Sequence, residues 1–385
     1  MTANVTSIAR IRTAARQRAE RARSNSRTST VLLLVTMMLV VIGLGETMSA
    51  SSTVGIHQAA DRFHFFKRQL LGVGIGLVVM AVASRVPYRI YRKAALPIFL
   101  VTLAGLVAVL AFGTSEGGAQ RWLVLGPLNF QPSELAKFGV IVMLALLMER
   151  KAGNLETWGH FLTPVFFVVG SVAALVMAQP DLGTTILIGA VAMVVLWVSP
   201  APGRKVILLG LFGILATLFL AYAADYRMDR IVGFLNPWAH PSDEGYQLIQ
   251  GYYALGDGGI FGVGLGASRA RWFYLPNAHT DFIFAIIGEE TGLIGAMTVI
   301  ALFAVLTVTG WIVASRAPDR FGRMLAAGIT AWLTVQALIN IGGVLGVMPI
   351  TGIALPFVSF GSTALIMSMA ALGVLVNVSQ QGGKA

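Results

Sequence analysis

Residues 31–45 read VLLLVTMMLVVIGLG, an apolar run without a single charge. The thirty residues before it hold seven arginines and one acid, Glu20. A helix needs about 20 mostly apolar residues to cross the hydrocarbon core, and the stretch 31–50 has that length. Lys and Arg beside a span mark its cytoplasmic side, so the basic segment holds the amino-terminal end of this helix inside. The segment is rich in Ala, Ser and Thr, as transit peptides are, but no small-residue cleavage pattern follows it. It reads as a mobile cytoplasmic tail, residues 1–30.

Blocks of the same kind recur along the chain. The 385 residues are 56% hydrophobic and 12% charged, against about 25% charged in a soluble domain. Helices are expected at 31–50, 68–84, 95–113, 134–149, 161–178, 183–199, 205–224, 282–312, 322–347 and 358–378. The fourth is short and carries charge, and a tight turn at Gln179-Pro180-Asp181-Leu182 separates the fifth from the sixth. The expected fold is an all-α polytopic membrane protein of about ten transmembrane helices, one domain over 31–380 with a short end at 381–385. Cysteine is absent, which excludes disulfides, Cys-ligated metals and thiol nucleophiles. The net charge of +11 would suggest nucleic acid in a soluble protein. No basic and aromatic platform stands outside the apolar blocks, so nucleic acid is not expected as a partner.

Counting Lys and Arg fixes an orientation. With the amino terminus inside, nineteen fall in inside segments and eight in outside ones, with Lys137 in a span. Ten spans then return the carboxyl terminus to the cytoplasm. The outside face has a connection at about 114–133 and one long loop, 225–281, between helices seven and eight. Long loops in compact proteins are usually functional or disordered. This one carries Trp238, Tyr246, Tyr252, Tyr253, Trp272, Phe273 and Tyr274 and a run of glycines from 256 to 266. That composition suits short interfacial helices on the outer leaflet. The glycine run has no preceding strand and is not a dinucleotide loop.

Ionisable residues inside spans are costly and mark function by default. Glu134 and Lys137 lie three apart at the head of the fourth span, in Gln131-Pro132-Ser133-Glu134-Leu135-Ala136-Lys137. Pro132 and Ser133 look like a helix start, with Ser133 as cap. Two readings stand for the charges: a structural ion pair at a helix end, or a cationic patch for phosphate formed by Lys137 with Arg121. Asp281 opens the eighth span in His279-Thr280-Asp281-Phe282. It is either the helix cap or a carboxylate at the outer mouth, serving as general base or cation ligand. Of Glu289 and Glu290, one is expected to face the interior and pair with an Arg from the loop. Asn340, beside Gly342, Gly343 and Gly346, is expected to bond across packed helices. Pro349, Thr351, Gly352, Pro356, Ser359, Gly361 and Ser362 break the start of the tenth span. Irregular backbone at membrane depth belongs against protein or a cavity, so this stretch reads as a cavity wall. Gln131, Ser133, Glu134, Gln250, His279, Thr280 and Ser359 complete the candidate substrate-binding set with Arg121 and Lys137.

Three stretches together resemble the SEDS family (shape, elongation, division and sporulation). They are Arg121-Trp122 with Gln131 through Lys137, Leu275-Pro276 with His279 through Ala285, and Pro349 through Gly361. Met48-Ser49-Ala50-Ser51-Ser52, Phe65-Phe66-Lys67-Arg68-Gln69 and the basic tail are similar to the division branch more than the elongation branch. Ala254, Phe360 and Ser362 depart from residues common in the family and remove no charge. The resemblance implies a peptidoglycan glycosyltransferase that polymerises lipid II during septal wall synthesis. It implies that the family's essential Asp falls on Asp281, and its Arg and Lys on Arg121 and Lys137. It implies a class B penicillin-binding protein and other division proteins as partners in the bacterial plasma membrane. Mg²⁺ or Mn²⁺ at Asp281 is left open, since no dedicated cage is visible. The competing classes are a lipid II flippase and a scaffold. No internal repeat of the transporter kind is evident, which favours the enzyme.

Overall fold

The computed structural model describes residues 2–51, 56, 61–116, 119–125, 128–223, 225–243, 245–272, 275–276 and 278–381. Ser52, Phe273, Tyr274 and Lys384 of the sequence reading lie outside them. A helix answers each of the ten expected ones. They are α1 (Thr2–Ala50), α2 (His64–Arg85), α3 (Arg89–Phe112), α4 (Pro132–Arg150), α5 (Trp158–Met177), α6 (Leu182–Val198), α7 (Gly203–Tyr222), α10 (Ile283–Arg316), α11 (Arg320–Val344) and α12 (Ser362–Gln381). Between α7 and α10 lie the short helices α8 (Asp225–Leu235) and α9 (Tyr246–Gly258). Eight of the described helices are long and apolar enough to cross a membrane. The other two of the ten are α4, which carries Glu134, Lys137, Glu149 and Arg150, and α6, which has only 17 residues.

Three departures from the expected pattern have local causes. The helix of the first span runs back to Thr2, where a mobile tail was expected. Residues 13–23 are mostly Ala, Arg, Gln and Glu, strong helix formers, and the span supplies the nucleus that an isolated segment lacks. The connection after α3 is a three-stranded antiparallel sheet, β1 (Thr114–Glu116), β2 (Ala119–Leu125) and β3 (Leu128–Phe130). Leu123 pairs with Phe130 and Val124 with Asn129. Such strands are too short to stand out by alternation, so the all-α expectation missed them. In α5, Pro164 lacks an amide hydrogen, and residues Phe166–Gly170 wind as a π-helical turn.

The molecule is built around its last helices. Within the most apolar window, 83% of α11 and 78% of α12 is buried, against 17% for α7. α4 packs against them and against α3, where Gly139 allows close approach. A Cβ there would stand 2.4 Å from Thr102 Oγ1. α7 turns Leu211, Phe212, Leu215, Leu218 and Phe219 outward, an apolar face suited to lipid.

Candidate active site

A cavity of about 740 Å³ opens at one end of the bundle. It lies where α2, α4, α6, α10 and α12 begin, and β2 and β3 form part of its rim. Arg121, Gln131, Glu134, Lys137, His279, Thr280 and Asp281 all line it. Residues of the three similar stretches, from Arg121 to Gly361, therefore meet around one cavity. Ser133 and Gln250 do not line it, and Ser359 stands behind it.

The head of α4 differs from the expected cap. Gln131 is the extended residue before the helix and Pro132 takes the first helical position, where its missing amide costs nothing. Ser133 is thereby inside the first turn, 1% exposed, with no partner for its Oγ among the described residues. Lys137 is 2% exposed. Its Nζ donates to Glu134 Oε1 at 2.7 Å and to Gln336 Oε1 at 2.8 Å, and sits 4.9 Å from the centre of the Trp332 ring. The ion pair of the first reading is thus formed, and it faces the cavity of the second. Gln336 also accepts from Trp332 Nε1 and donates to Ala354 O. It joins α4 to the irregular stretch before α12.

Asp281 is half-buried, and its carboxylate does not cap α10. Phe282 holds the cap position and no side chain bonds the first turn. The side chain of Thr280 hydrogen-bonds the carboxylate instead. Gly352, at φ +72°, passes close by: a Cβ on it would lie 3.5 Å from Asp281 Oδ2. The backbone around Asp281 is tied down on two sides. Asn340 Nδ2 donates to Asp281 O at 2.9 Å and to Ile353 O at 2.8 Å. Ser359 Oγ donates to Thr280 O at 2.6 Å, and Phe360 N to His279 O at 3.0 Å. Asn340 and Ser359 therefore position the acid. Burial pushes the Asp281 carboxyl up to about 6, and the charges of Arg230 and Arg121 oppose that rise. His279 packs its ring between Phe65 and Phe360, at 5.1 and 5.7 Å. Burial pushes it down to about 4, so it is neutral at pH 7.

Arg121 leaves β2 to reach the turn before α6. It donates to Gln179 O at 3.3 Å and Pro180 O at 2.5 Å, and its Nε is 3.8 Å from Asp181 Oδ2. Asp181 caps α6 through Thr184 N at 3.0 Å. Asp181, Arg68, Asn129 and Gln336 were missed as site residues. Asp181 was read only as part of a tight turn, and Arg68 only as an outside charge within a stretch similar to the division branch. Gln336 had one available signal, an uncompensated amide in an apolar span four residues before Asn340.

Among the described residues no three His, Asp or Glu converge as a metal cage. Asp181 already serves Thr184 and Arg121. A Mg²⁺ or Mn²⁺ here would take Asp281 as its protein ligand and the rest from phosphate oxygens and water, a donor set that Mg²⁺ accepts. Glu289 and Glu290 are both buried, away from the cavity. Glu289 accepts from Ser268 Oγ and Arg269 N, and Glu290 from Ser49 Oγ and Gly266 N. They anchor the loop through its amides and hydroxyls, where a single inward acid was expected.

Known proteins are similar to this one over most of the chain. The family model described as cell cycle protein, covering FtsW, RodA and SpoVE, matches residues 29–384. A probable peptidoglycan glycosyltransferase FtsW of Geobacter sulfurreducens is 40% identical over 351 residues, 91% of this chain and 94% of that one. The stage V sporulation protein E of Bacillus subtilis is 40% identical over 353 residues, 91% of this chain and 96% of that one. Among solved structures, a chain of a peptidoglycan synthase complex superposes with a TM-score of 0.73 at 29% identity, over 91% of this chain and 97% of that one. The rod shape determining protein RodA of Thermus thermophilus gives 0.68 at 27% identity, over 91% and 96%. Sequence and architecture agree, and the chain belongs to the FtsW, RodA and SpoVE family of cell cycle proteins.

Proposed function

We propose that this protein is a peptidoglycan glycosyltransferase that polymerises lipid II into glycan strands at the division septum. The bundle crosses the membrane ten times with both termini in the cytoplasm, and the cavity opens on the outer face. The single observation that carries the reading is Asp281: a carboxylate freed from capping, facing a cavity whose lining also holds Arg68, Arg121 and Lys137, groups that can meet a pyrophosphate. Names given to the relatives, FtsW and a synthase complex, support it.

In this mechanism Asp281 accepts the proton from the 4-hydroxyl of the acceptor sugar. The oxygen attacks the anomeric carbon of the donor, the bond to the pyrophosphate breaks, and lipid pyrophosphate leaves. One displacement converts an α-linked donor to a β-linked strand. A carboxyl near pH 6 is ionised at neutral pH yet basic enough to take a proton, which suits a general base. Arg121 and Arg68 stabilise the charge growing on the pyrophosphate, a preorganised electrostatic effect. Lys137, shared by Glu134 and Gln336, adds to that field from the cavity wall. His279 is uncharged and shapes the wall with Phe65 and Phe360. A divalent cation, when bound, would supply further charge neutralisation at the phosphates. Thr280 and Gln131, both on the cavity lining, contact the sugars.

The test is strand synthesis from purified lipid II in detergent, with and without a class B penicillin-binding protein, the transpeptidase partner of this reading. Glycan strands, made faster with the partner, are expected. Translocation activity in vesicles with no strands in detergent would make the protein a flippase.

A further inference from the structure

At the opposite end of the bundle a second cavity, of about 760 Å³, lies where α2 and α12 end and α3 begins. Ser84, Arg85, Arg89, Asn377, Gln380 and Gln381 line it, with no carboxylate among its lining residues. Its wall is rigid. Asn377 is 4% exposed; its Oδ1 accepts from Tyr88 N at 2.8 Å and from Gln381 Nε2 at 2.7 Å, and its Nδ2 donates to Ser84 O at 2.9 Å.

The two arginines are exposed and have few protein contacts, Arg89 hydrogen-bonding the side chain of Tyr88. Arg85 Nη1 is 3.4 Å from Ala81 O. Arg89 Nε is 3.9 Å from Asp319 Oδ2, and the Arg89 side chain is 66% exposed. Asp319 is committed elsewhere: it accepts from Tyr88 Oη and from Gly322 N, both at 2.7 Å, as the cap of α11. Two guanidinium groups and three side-chain amides thus surround a space of headgroup size. Guanidinium binds phosphate oxygens through paired charge-assisted hydrogen bonds. The wall also continues into apolar surface. Leu71, Leu77, Val78 and Val82 are exposed along α2 and lead up to Arg85, with Val78 and Val82 one turn apart on the same face.

We propose that this cavity binds the headgroup of an anionic phospholipid, with its acyl chains lying on the exposed stripe of α2. Charge complementarity selects an anion, and the continuous apolar track selects a lipid over a free phosphate. In the orientation proposed above the cavity faces the cytoplasmic leaflet, whose surface is anionic. The inference does not depend on the reaction assigned to the outer cavity.

Native mass spectrometry of the full chain released from detergent tests it, with phosphatidylglycerol, phosphatidylcholine and glycerol 3-phosphate as ligands. Phosphatidylglycerol is expected to stay bound, more strongly than phosphatidylcholine, and glycerol 3-phosphate in excess is not expected to displace it. Arg85→Gln with Arg89→Gln should weaken retention about thirty-fold, from two lost charges near a phosphate. Arg85→Glu alone should act in the same direction, and Arg62→Gln at the other end should have no effect. Equal retention by wild type and the double variant overturns the proposal. Displacement by glycerol 3-phosphate also overturns it, since the site would then take free phosphate.

Discussion

Asp281 owes its character to what its neighbours take away. Phe282 assumes the cap position, Asn340 and Ser359 hold the backbone, and burial raises the carboxyl to about 6 against the pull of Arg230 and Arg121. A base works in its ionised form, so polymerisation should fall as pH drops through about 6. Arg230→Gln removes a positive charge that favours the carboxylate. The midpoint of the acid limb should then move to higher pH, read from initial rates across a pH series. Lys137 and Glu134 behave as a unit. Lys137→Met leaves a buried carboxylate without its partner, a loss of about 3 kcal/mol or more, read as a lowered melting temperature in detergent. Glu134→Gln with Lys137→Met should recover most of that stability and still polymerise poorly, if the ammonium charge serves the substrate. Lys137 was legible in the sequence because a charge within an apolar span is rare, whereas Asp281, which by position alone could be a helix cap, and Arg121 were singled out chiefly by the resemblance. Asp181 and Gln336 were not. An Asp before an apolar run reads as a cap, which it is, and its second contact to Arg121 spans 60 residues and a sheet.

The ten helices were legible because membrane helices need long apolar runs, and each run has a counterpart. Their interruptions were less so. α10 is continuous in hydropathy yet breaks at Gly292, whose φ is +69°. The hydrogen bonds lost at the break are recovered from the strap 258–264. Val263 N and Gly264 N donate to Glu289 O and Glu290 O, and Leu293 N donates to Gly259 O. A Cβ at Gly292 would stand 2.4 Å from Gly262 N and Ile260 O. Gly292→Ala should therefore cost about 2 kcal/mol or more, from left-handed backbone strain and this clash. Hydrogen exchange at Val263 and Gly264 should speed up with it. A pattern of apolar residues carries no mark of such a break, because the strap that repairs it comes from elsewhere in the chain. The sheet at the cavity rim was hidden for a similar reason: its strands are defined by pairing and not by composition.

At the scale of the molecule the two ends differ. One gathers the acid, the cations and the irregular stretch before α12 around a cavity. The other carries basic residues, Arg85, Arg89, Arg320 and Arg323 among them, and a second cavity. Between them the outward side chains of α2 and α7 are apolar. A membrane enzyme acting on a polyprenyl-anchored sugar needs this division: a polar mouth for the pyrophosphate and an apolar flank for the tail. The central claim is that Asp281 takes the proton from the acceptor. It is tested most directly by comparing glycan strand formation from lipid II, in detergent, by the wild type and by Asp281→Asn of matched melting temperature. General bases contribute about 10²–10⁴-fold, so the variant should make strands at least about a hundred times more slowly. Strand synthesis by Asp281→Asn at the wild-type rate would contradict the account.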